Sequence, residues 1–444
     1  RDKILQDEVL ELGEIRTVSV DTESIFTSEK QVLLDFNRLW STVLWCEDYY
    51  MNYSAIQLKT GKEASVGFRH PWVFSGAIEK IPSDVQHGDL VHVVDRNERV
   101  IGTGSYSKTS SIAVRVFEFK EVVIDKKWFE KKISEAFERR KIIIQKDTTA
   151  FRVVFGESDG IPGLIIDKYE DVIVFQIATM GMDRMRDEII DAIKTVFSPQ
   201  AIVERSDVSV RKEEKLEALT KIHHGKLEGV VSFKENGLSF VADILEGQKT
   251  GFFLDQKDLR KWLIEYAVNG SVLNLFSYSG GTGIAALKGD ATHVHSVDSS
   301  AEALALCDEN AKLNKISKTK FTTEKSDAFD FLNTHQDSHY KTVIMDPPAL
   351  IKSNRDVEEG KKAYHFLNRA AMRLVEDGGL FITSSCSHFL SEEDMAFMLR
   401  RASVQAGIQL DILAVIRQSA DHPLSVYFPE AAYLKSFICR VHRL

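Results

Sequence analysis

The chain has 444 residues, of which 43% are hydrophobic and 28% are charged. This composition is typical of a soluble globular protein, and the length predicts two or three domains. No apolar run approaches the roughly 18 residues needed to span a bilayer, and the acidic start RDKILQDEVLELGE fits neither a signal nor a transit peptide. The formal net charge of −9 is unfavourable for binding nucleic acid, although a local basic surface can coexist with it.

The four cysteines, Cys46, Cys307, Cys386 and Cys439, lie far apart, without a CxxC motif or a His-rich partner segment. This spacing argues against a zinc site and against a disulfide framework, so we expect no bound metal. It fits the reducing cytosol, and we expect a cytoplasmic protein.

The N-terminal part of the chain changes character at Met51, which opens a β-rich segment. We expect Met51 to be the true start and residues 1–50 to be an upstream extension without a role in catalysis. Short β-rich runs then alternate with polar turns such as residues 95–98, which predicts a small β barrel or sheet over residues 51–122.

Residues 123–232 predict a small α+β module in which no pattern indicates chemistry. Trp128, Phe129 and Ile133 follow a helical spacing. We expect the basic residues of that helix to form its solvated face; they are Lys126, Lys127, Lys131, Lys132, Arg139, Arg140 and Lys141. The segment AIVERSDVSVRKEE predicts a strand followed by a charged helix.

From residue 233 onward, strands and helices alternate, which predicts a doubly wound α/β domain over residues 233–444. Ser299 and Glu302 have capping-box spacing at the start of one helix. Ser391 is expected to open a later helix that ends near Gly407, and the segments DILAVIRQ and LKSFICRV predict a final antiparallel pair.

A glycine-rich turn between the first strand and helix of this domain is the first candidate ligand site. Its glycines allow close approach to the backbone at a helix N-terminus. Asp298 ends the next strand, where a carboxylate can accept both hydroxyls of a ribose. Asp327 follows the third strand, and its side chain and the backbone of Ala328 are placed to read an adenine edge. These features fit NAD and S-adenosylmethionine equally well.

The fourth strand distinguishes the two cofactors because it ends in Asp346-Pro347-Pro348. The prolines fix the backbone and present the Asp346 carboxylate toward a planar base. Nucleic-acid methyltransferases use such a loop, whereas a dehydrogenase has no need of it, so S-adenosylmethionine is favoured.

Cys386 stands between serines at the end of the following strand, where catalytic groups gather in open α/β sheets. Cys307, on a helix with Leu304, is expected instead to be an inert core residue. Carbon 5 of cytosine is a poor nucleophile, and addition of a thiolate to carbon 6 activates it. The cofactor's positive charge or local amides must favour that thiolate, since a free thiol has a pKa of ~8.5. The base must also leave its stack, which favours unpaired RNA.

From Ser54 onward, the chain closely resembles the bacterial large-subunit ribosomal RNA cytosine-5 methyltransferases related to methyltransferase I. Nine stretches match in the same order: RHPWVFSGAI, GESDGIPGLIIDKY, RSDVSVRKEE, GQKTGFFLDQKDLR, VLNLFSYSGGTG, VDSSAEAL, MDPPAL, SSCS and ADHPLSVYFPEAAYLK. The resemblance implies an N-terminal PUA domain that binds RNA, a central α+β domain and a Rossmann-like class I methyltransferase domain. It also implies cytosine-5 methylation of 23S rRNA, naked or in the large-subunit precursor, often by a homodimer.

The resemblance further implies roles for individual residues. It places Cys386 as the nucleophile and Asp346 as the acid that binds the base. Cofactor contacts are expected from Phe253, Asp255, Gln256, Asn274, Phe276, Ser277, Tyr278, Ser279, Gly280, Asp298, Ser299, Asp327, Ala328 and Asp346. Arg69, His70 and Trp72 belong to the PUA motif and are expected to contact RNA, although Trp72 suits a packing role equally well.

The chain departs from relatives at two positions, and two rival functions remain. Ala349-Leu350 stands where relatives often carry Lys-Phe, and Pro348 stands where another branch has a second cysteine. An RNA N-methyltransferase acting on an exocyclic amine also uses Asp-Pro-Pro, but it usually follows the prolines with a stacking aromatic residue and needs no Cys386. A non-catalytic RNA-binding ribosome-assembly factor would tolerate substitution of Asp298 and Asp346.

Overall fold

The computed structural model describes residues 53–266, 269–337, 339–351 and 353–444. The extension proposed for residues 1–50, with Cys46, lies outside these ranges. Tyr53–Leu444 forms one compact unit, which contains four β-sheets.

The first sheet is built from residues 54–118 and has the strand order β2-β6-β5-β4-β1-β3. Its elements are β1 (Ser54–Leu58), α1 (Ala64–Gly67), β2 (Trp72–Phe74), β3 (Ile78–Lys80), β4 (Leu90–Val94), β5 (Val100–Tyr106) and β6 (Ile112–Glu118). The turn expected at residues 95–98 is confirmed. The Asp95 carboxylate accepts hydrogen bonds from the backbone of Asn97 and Arg99 at 2.8 and 3.0 Å, which closes the β4–β5 hairpin.

The second sheet has the order β11-β10-β9-β8-β7. Its elements are α2 (Lys126–Ile143), β7 (Ala150–Phe155), β8 (Leu164–Tyr169), β9 (Val172–Ile177), α3 (Met180–Arg184), α4 (Arg186–Phe197), β10 (Ala201–Ser206) and β11 (Leu219–His224). The charged helix expected after β10 is wrong, since only a 3-10 turn, Ser209–Lys212, follows. Arg211 is buried and donates to the carbonyl oxygens of Ile177 and Glu217, which holds the segment against the sheet.

The basic residues of α2 are not all solvated as expected. Arg140 is buried and donates two hydrogen bonds to Asp159, at 2.7 and 2.6 Å. Lys132 pairs with Glu118 at 2.6 Å, and Lys141 pairs with Glu138 at 2.5 Å. These acidic partners neutralise much of the positive charge, so the helix offers a poor surface for phosphates.

The third sheet is a hairpin of β12 (Val231–Glu235) and β13 (Leu238–Ala242), and the fourth has the order β16-β15-β14-β17-β18-β20-β19. Its elements are α5 (Lys257–Tyr266), β14 (Gly270–Leu275), α6 (Gly281–Lys288), β15 (Ala291–Asp298), α7 (Ala301–Leu313), β16 (Phe321–Lys325), α8 (Ala328–Thr334), β17 (Tyr340–Met345), α9 (Val357–Met372), β18 (Val375–Ser385), α10 (Glu392–Ala406), β19 (Ile408–Arg417) and β20 (Lys435–Arg443). β14 to β18 pair in parallel, whereas β20 runs antiparallel to β18 and β19. The predicted doubly wound fold and the final antiparallel pair are therefore confirmed.

One of the two helix caps predicted from the sequence is confirmed, and the other is wrong. Ser391 caps α10, which ends at Gly407 with a φ of +71°. The predicted cap of α7 is wrong by one residue, because Ser300 rather than Ser299 accepts from Ala303 N, at 3.1 Å. The Asp298 carboxylate accepts from Ser300 N at 2.9 Å and so fixes a turn that brings Ser300 to the cap position.

The strand order reverses between β14 and β17. The chain passes from β14 to β15 and β16 on one side of β14, and β17 and β18 then lie on its other side. In an open α/β sheet, ligands bind outside the carboxyl ends of the strands at this point. The glycine-rich turn, Asp298, Asp346 and Cys386 all follow or end strands at this edge.

Candidate active site

A cavity of about 370 Å³ lies at this edge, a size suited to a small ligand. Five stretches of chain form its wall: residues 248–260, 274–282, 298–299, 346–349 and Cys386, with Leu434 beside them. Side chains predicted separately for the cofactor and for the base therefore meet in one space.

The turn after β14 folds tightly enough to expose backbone to this cavity. Phe276, Tyr278 and Gly280 have φ values of +57°, +45° and +77°, in the left-handed region. A Cβ atom at Gly280 would lie only 2.8 Å from the Cys307 sulfur, so glycine is needed there. Cys307 is buried beneath this turn, as predicted, and it does not line the cavity.

Asp298 is oriented so that its carboxylate can accept hydrogen bonds from the hydroxyl groups of a ribose. Oδ2 accepts from Tyr278 N at 2.8 Å and Oδ1 accepts from Ser300 N at 2.9 Å, which fixes the orientation of the carboxylate. Each carboxylate oxygen has a further lone pair for a hydroxyl donor.

Asp255 and Gln256 also line the cavity, from a 3-10 turn (Leu254–Gln256) before α5. Burial alone would raise the pKa of Asp255, but the positive charges of Lys249 and His422 outweigh it and hold that pKa well below its usual range. Asp255 Oδ1 and Gln256 Oε1 are buried without a hydrogen-bond partner. An ionised carboxylate with an unpaired oxygen suits a cationic ligand group, such as the amino group of the methionine part of S-adenosylmethionine.

Asp346 is held differently from Asp255, although both line the cavity. Gln256 Nε2 donates to Asp346 Oδ2 at 2.9 Å. Burial, followed by the negative charge of Asp255, raises the pKa of Asp346 to about 7. The carboxyl group can therefore either donate or accept a proton near neutral pH.

Cys386 lies at the cavity wall directly after β18 and is partly exposed. Burial and the nearby Asp346 carboxyl group raise the pKa of its thiol to about 11, so the resting sulfur is protonated. Its neighbours anchor the loop. Tyr364 OH accepts from Ser385 Oγ at 3.1 Å, and Lys435 Nζ donates to Ser387 O at 2.7 Å.

Most of the predicted cofactor residues line the cavity, and three do not. Those in its wall are Phe253, Asp255, Gln256, Asn274, Phe276, Ser277, Tyr278, Ser279, Asp298, Ser299 and Asp346. Gly280, Asp327 and Ala328 are outside this set. Asp327 caps α8, with Oδ1 accepting from Phe329 N at 2.8 Å, and its contact with adenine stays a prediction.

Lys249 and Arg260 were not predicted, although both line the cavity. Lys249 Nζ donates to Asp255 Oδ2 at 2.6 Å and lies 4.3 Å from the centre of the Phe253 ring. Arg260 donates to Glu235 Oε2 at 2.8 Å and to Phe253 O at 2.9 Å, which braces the same segment. Both residues belong to the matching stretch GQKTGFFLDQKDLR, which is the signal that could have identified them.

The predicted RNA-contacting residues lie against the segment after β19. The Arg69 guanidinium is 5.8 Å from the Tyr427 ring centre, and His70 pairs with Glu430 at 3.3 Å. Trp72 packs edge-on against Phe428, with ring centres 4.7 Å apart. Trp72 therefore has the packing role that the sequence allowed, and RNA contact by the three residues stays a prediction.

No helix among residues 53–266, 269–337, 339–351 and 353–444 is long and apolar enough to cross a membrane. The same part of the chain contains no group of three or more His, Cys, Asp or Glu side chains placed to hold a metal ion.

Comparison with known protein families identifies two regions. A PUA-like domain matches residues 56–119, and an S-adenosylmethionine-dependent methyltransferase domain matches residues 207–401. A crystal structure of a proposed methyltransferase complexed with SAH aligns with a TM-score of 0.76 and 23% identity, over 87% of this chain and all of that one. A proposed SAM-dependent methyltransferase from Streptococcus mutans aligns with a TM-score of 0.75 over the same shares, also at 23% identity. These two structures support the fold.

Curated relatives match over nearly their whole length. Ribosomal RNA large subunit methyltransferase I of Escherichia coli is 36% identical over 389 residues, which are 86% of this chain and 98% of the relative. The protein of the same name from Vibrio vulnificus is 37% identical over 394 residues, 87% and 99% of the two chains. The chain therefore belongs to the family of ribosomal RNA large subunit methyltransferase I and is an S-adenosylmethionine-dependent methyltransferase.

Proposed function

We propose that this enzyme methylates carbon 5 of a cytosine in 23S rRNA through a covalent bond to Cys386. The observation that supports this proposal most strongly is the shared cavity. The Cys386 thiol and the Asp346 carboxyl group line the same cavity as Asp298 and the turn after β14. A nucleophile, a proton donor and a cofactor site therefore converge on one space.

The cofactor is held at its two ends by different residues in this proposal. Asp298 and the turn at residues 276–281 bind the adenosine part, whereas Phe253, Asp255 and Gln256 bind the methionine part. When bound, S-adenosylmethionine supplies the methyl group and a positive charge on sulfur.

Cys386 and Asp346 act on different atoms of the base in this proposal. The Cys386 thiol first loses its proton to solvent. The resulting thiolate bonds to carbon 6 of the cytosine, Asp346 gives its own proton to ring nitrogen 3, and the displaced electron pair makes carbon 5 nucleophilic. After methylation, loss of the carbon 5 proton and then of the Cys386 sulfur restores the ring, and Asp346 recovers its proton. Pro348 stands where another branch has a second cysteine, so a different base must take the carbon 5 proton.

The position of Ala349 counts against the rival that methylates an exocyclic amine. A methyl side chain cannot stack on a base as an aromatic residue would, and such an enzyme has no use for a thiol at Cys386. We also propose that the enzyme works in the cytoplasm on naked 23S rRNA or on the large-subunit precursor, as a homodimer.

A methyl-transfer assay tests the proposal against both rivals. Wild type, Cys386→Ala and the control Cys439→Ala are incubated with labelled S-adenosylmethionine and unmodified 23S rRNA, and the product nucleoside is identified by mass spectrometry. Cys439 is buried in β20 outside the cavity, so its variant controls for loss of a thiol elsewhere. We expect 5-methylcytosine from wild type and Cys439→Ala and none from Cys386→Ala. Methylation of an exocyclic amine, or no transfer by wild type, would contradict the proposal.

RNA containing 5-fluorocytosine tests the covalent step directly. Fluorine replaces the proton that must leave carbon 5, so the adduct cannot resolve. We expect wild type to form a denaturation-resistant RNA complex with S-adenosylmethionine present, and Cys386→Ala to form none. A complex that persists in Cys386→Ala would mean that another residue is the nucleophile.

A further inference from the structure

A second cavity, of about 470 Å³, lies beside the catalytic one, and Lys249 belongs to the walls of both. Its other walls come from β2, from β7 to β9 and from residues 428–433. The PUA-like domain thus contributes one wall through Trp72. Its size is sufficient for a nucleotide base.

Aromatic side chains and a guanidinium group form much of this second cavity. Trp72 meets Phe428 at 4.7 Å between ring centres, and Phe155 meets Tyr433 at 6.3 Å. The Arg152 guanidinium lies 5.4 Å from the centre of the Phe155 ring. Such flat surfaces are what proteins use to stack the unpaired bases of single-stranded RNA.

The charges in the wall favour a neutral base over a phosphate. Arg152 donates two hydrogen bonds of 2.8 Å to Asp167, and Lys249 is bound to Asp255, so both cations are already paired. Glu157 and Glu430 add two carboxylates to the wall. A phosphate would meet repulsion from these carboxylates, whereas an uncharged ring would not.

We propose that the second cavity binds an unpaired base of the same RNA strand, close in sequence to the cytosine in the catalytic cavity. This inference rests on the proposed function, because it takes single-stranded RNA as the substrate. The shared Lys249 makes the two cavities neighbours, so one strand can place two bases in them. The exposed Arg69 beside Tyr427 lies three residues before Trp72 in the chain, where it can meet the backbone phosphates.

Binding of unmodified 23S rRNA tests this proposal without requiring methyl transfer. Affinity is measured by filter binding in a Cys386→Ala background. We expect Ile165→Trp, which narrows the cavity with a bulky ring and removes neither partner of the Trp72–Glu157 hydrogen bond of 2.9 Å, to raise the Kd about tenfold, as loss of one base stack does. Trp72→Ala should do the same. Phe397→Ala, an exposed aromatic residue of α10 outside both cavities, is the control and should leave the Kd unchanged.

Ultraviolet crosslinking to the same RNA provides an independent readout. We expect RNA-linked peptides that contain Trp72, Phe155 or Tyr433, and we expect their loss in Ile165→Trp while other crosslinks persist. Crosslinks elsewhere only, together with an unchanged Kd in Ile165→Trp, would overturn the second base site. Failure of the cytosine chemistry would show separately, as absence of 5-methylcytosine from wild type.

Discussion

Asp255 and Asp346 line one cavity but titrate differently, since Asp255 is ionised near neutral pH whereas Asp346 takes up and loses its proton there. Lys249 keeps Asp255 ionised, whereas burial and the charge of Asp255 raise the pKa of Asp346 to about 7. Gln256 joins them, since it follows Asp255 in the chain and donates to Asp346. Environments that separate the pKa values of two carboxyl groups commonly assign them different roles. In the proposed mechanism, Asp255 binds the cofactor and Asp346 transfers the proton.

The raised pKa of Asp346 predicts how stability depends on pH. A carboxyl group whose pKa is raised by folding binds its proton more tightly in the folded state, so stability is lost as pH rises from about 4 through about 7. We expect Asp346→Asn to be more stable than wild type at pH 8, by roughly 2–4 kcal/mol, and equally stable near pH 3. Urea unfolding at both pH values checks this, and an equal difference at the two would contradict it.

The same group predicts the pH dependence of the reaction. The reactive thiolate of Cys386 increases as pH rises, whereas the protonated form of Asp346 is lost above about pH 7. The rate of methyl transfer should therefore rise up to about pH 7 and level off above it, because the gain in thiolate is then cancelled by the loss of protonated Asp346. In Asp346→Asn, we expect a rate at least about 100-fold lower that continues to rise above pH 7. A wild-type profile that still rises at pH 9 would exclude Asp346 as the acid.

Asp298 and Asp327 can be distinguished by cofactor affinity. Asp298→Ala should weaken SAH binding at least about tenfold, because hydrogen bonds to a charged acceptor contribute about 1.5–3 kcal/mol. Asp327→Ser keeps a helix cap for α8, so it tests the predicted adenine contact without loss of the cap. Titration calorimetry measures both variants. A loss of affinity in Asp327→Ser would support that contact, and an unchanged affinity would contradict it.

Residue spacing was sufficient to predict Cys386, Asp346 and Asp298, because each ends or follows a strand at the same sheet edge. It could not predict Lys249, which is brought to Asp255 by a left-handed backbone conformation at φ +52°. Residue spacing could not predict Tyr433 either, because 178 residues of chain separate it from Asp255. The Tyr433 OH donates to Asp255 Oδ2 at 2.5 Å.

The turn after β14 shows how one element depends on its neighbour. Gly280 lies over Cys307 of α7, and the backbone at Gly280 has a positive φ. The turn can keep this backbone conformation only if the α7 residue beneath it, Cys307, has a small side chain.

Substitution at Gly280 should therefore be costly and partly reversible. We expect Gly280→Ala to destabilise the protein by about 2 kcal/mol through overpacking and backbone strain. Adding Cys307→Ala should recover about half of that loss, since the closest contact is the sulfur atom. Denaturant unfolding of both single variants and the double variant measures this coupling, and strictly additive effects would contradict it.

The alternation of strands and helices was enough to predict the doubly wound sheet, because β14 to β18 are separated from one another by helices. The error after β10 has a physical cause: RKEE has helical propensity, but the buried Arg211 binds two carbonyl oxygens of its surroundings. Tertiary contacts thus override local preference.

Asp421 connects parts of the molecule that are distant in sequence. It is fully buried, its Oδ2 accepts from Arg152 N at 2.9 Å, and its Oδ1 lies 3.0 Å from Lys257 Nζ. Two residues earlier, Ser419 N donates to Asp255 O at 2.9 Å. This segment therefore contacts the second sheet, α5 and Asp255, which lines the first cavity.

Loss of the Asp421 charge should lower both the stability of the protein and its affinity for SAH. In Asp421→Asn, Lys257 stays buried without its counter-charge, and we expect a loss of about 3–5 kcal/mol in the free energy of unfolding together with weaker SAH binding. Asp411→Asn, which breaks an exposed pair with His442, is the control and should cost no more than about 1 kcal/mol. Equal effects of the two substitutions would show that Asp421 is no such connection.

The protonated thiol of Cys386 has a consequence for the enzyme between turnovers. A neutral sulfhydryl reacts slowly with peroxide, alkylating agents and stray metal ions, all of which attack or capture the anion. In the proposed mechanism, this sulfur ionises only when cofactor and RNA are both bound, so the free enzyme is protected from such chemical damage.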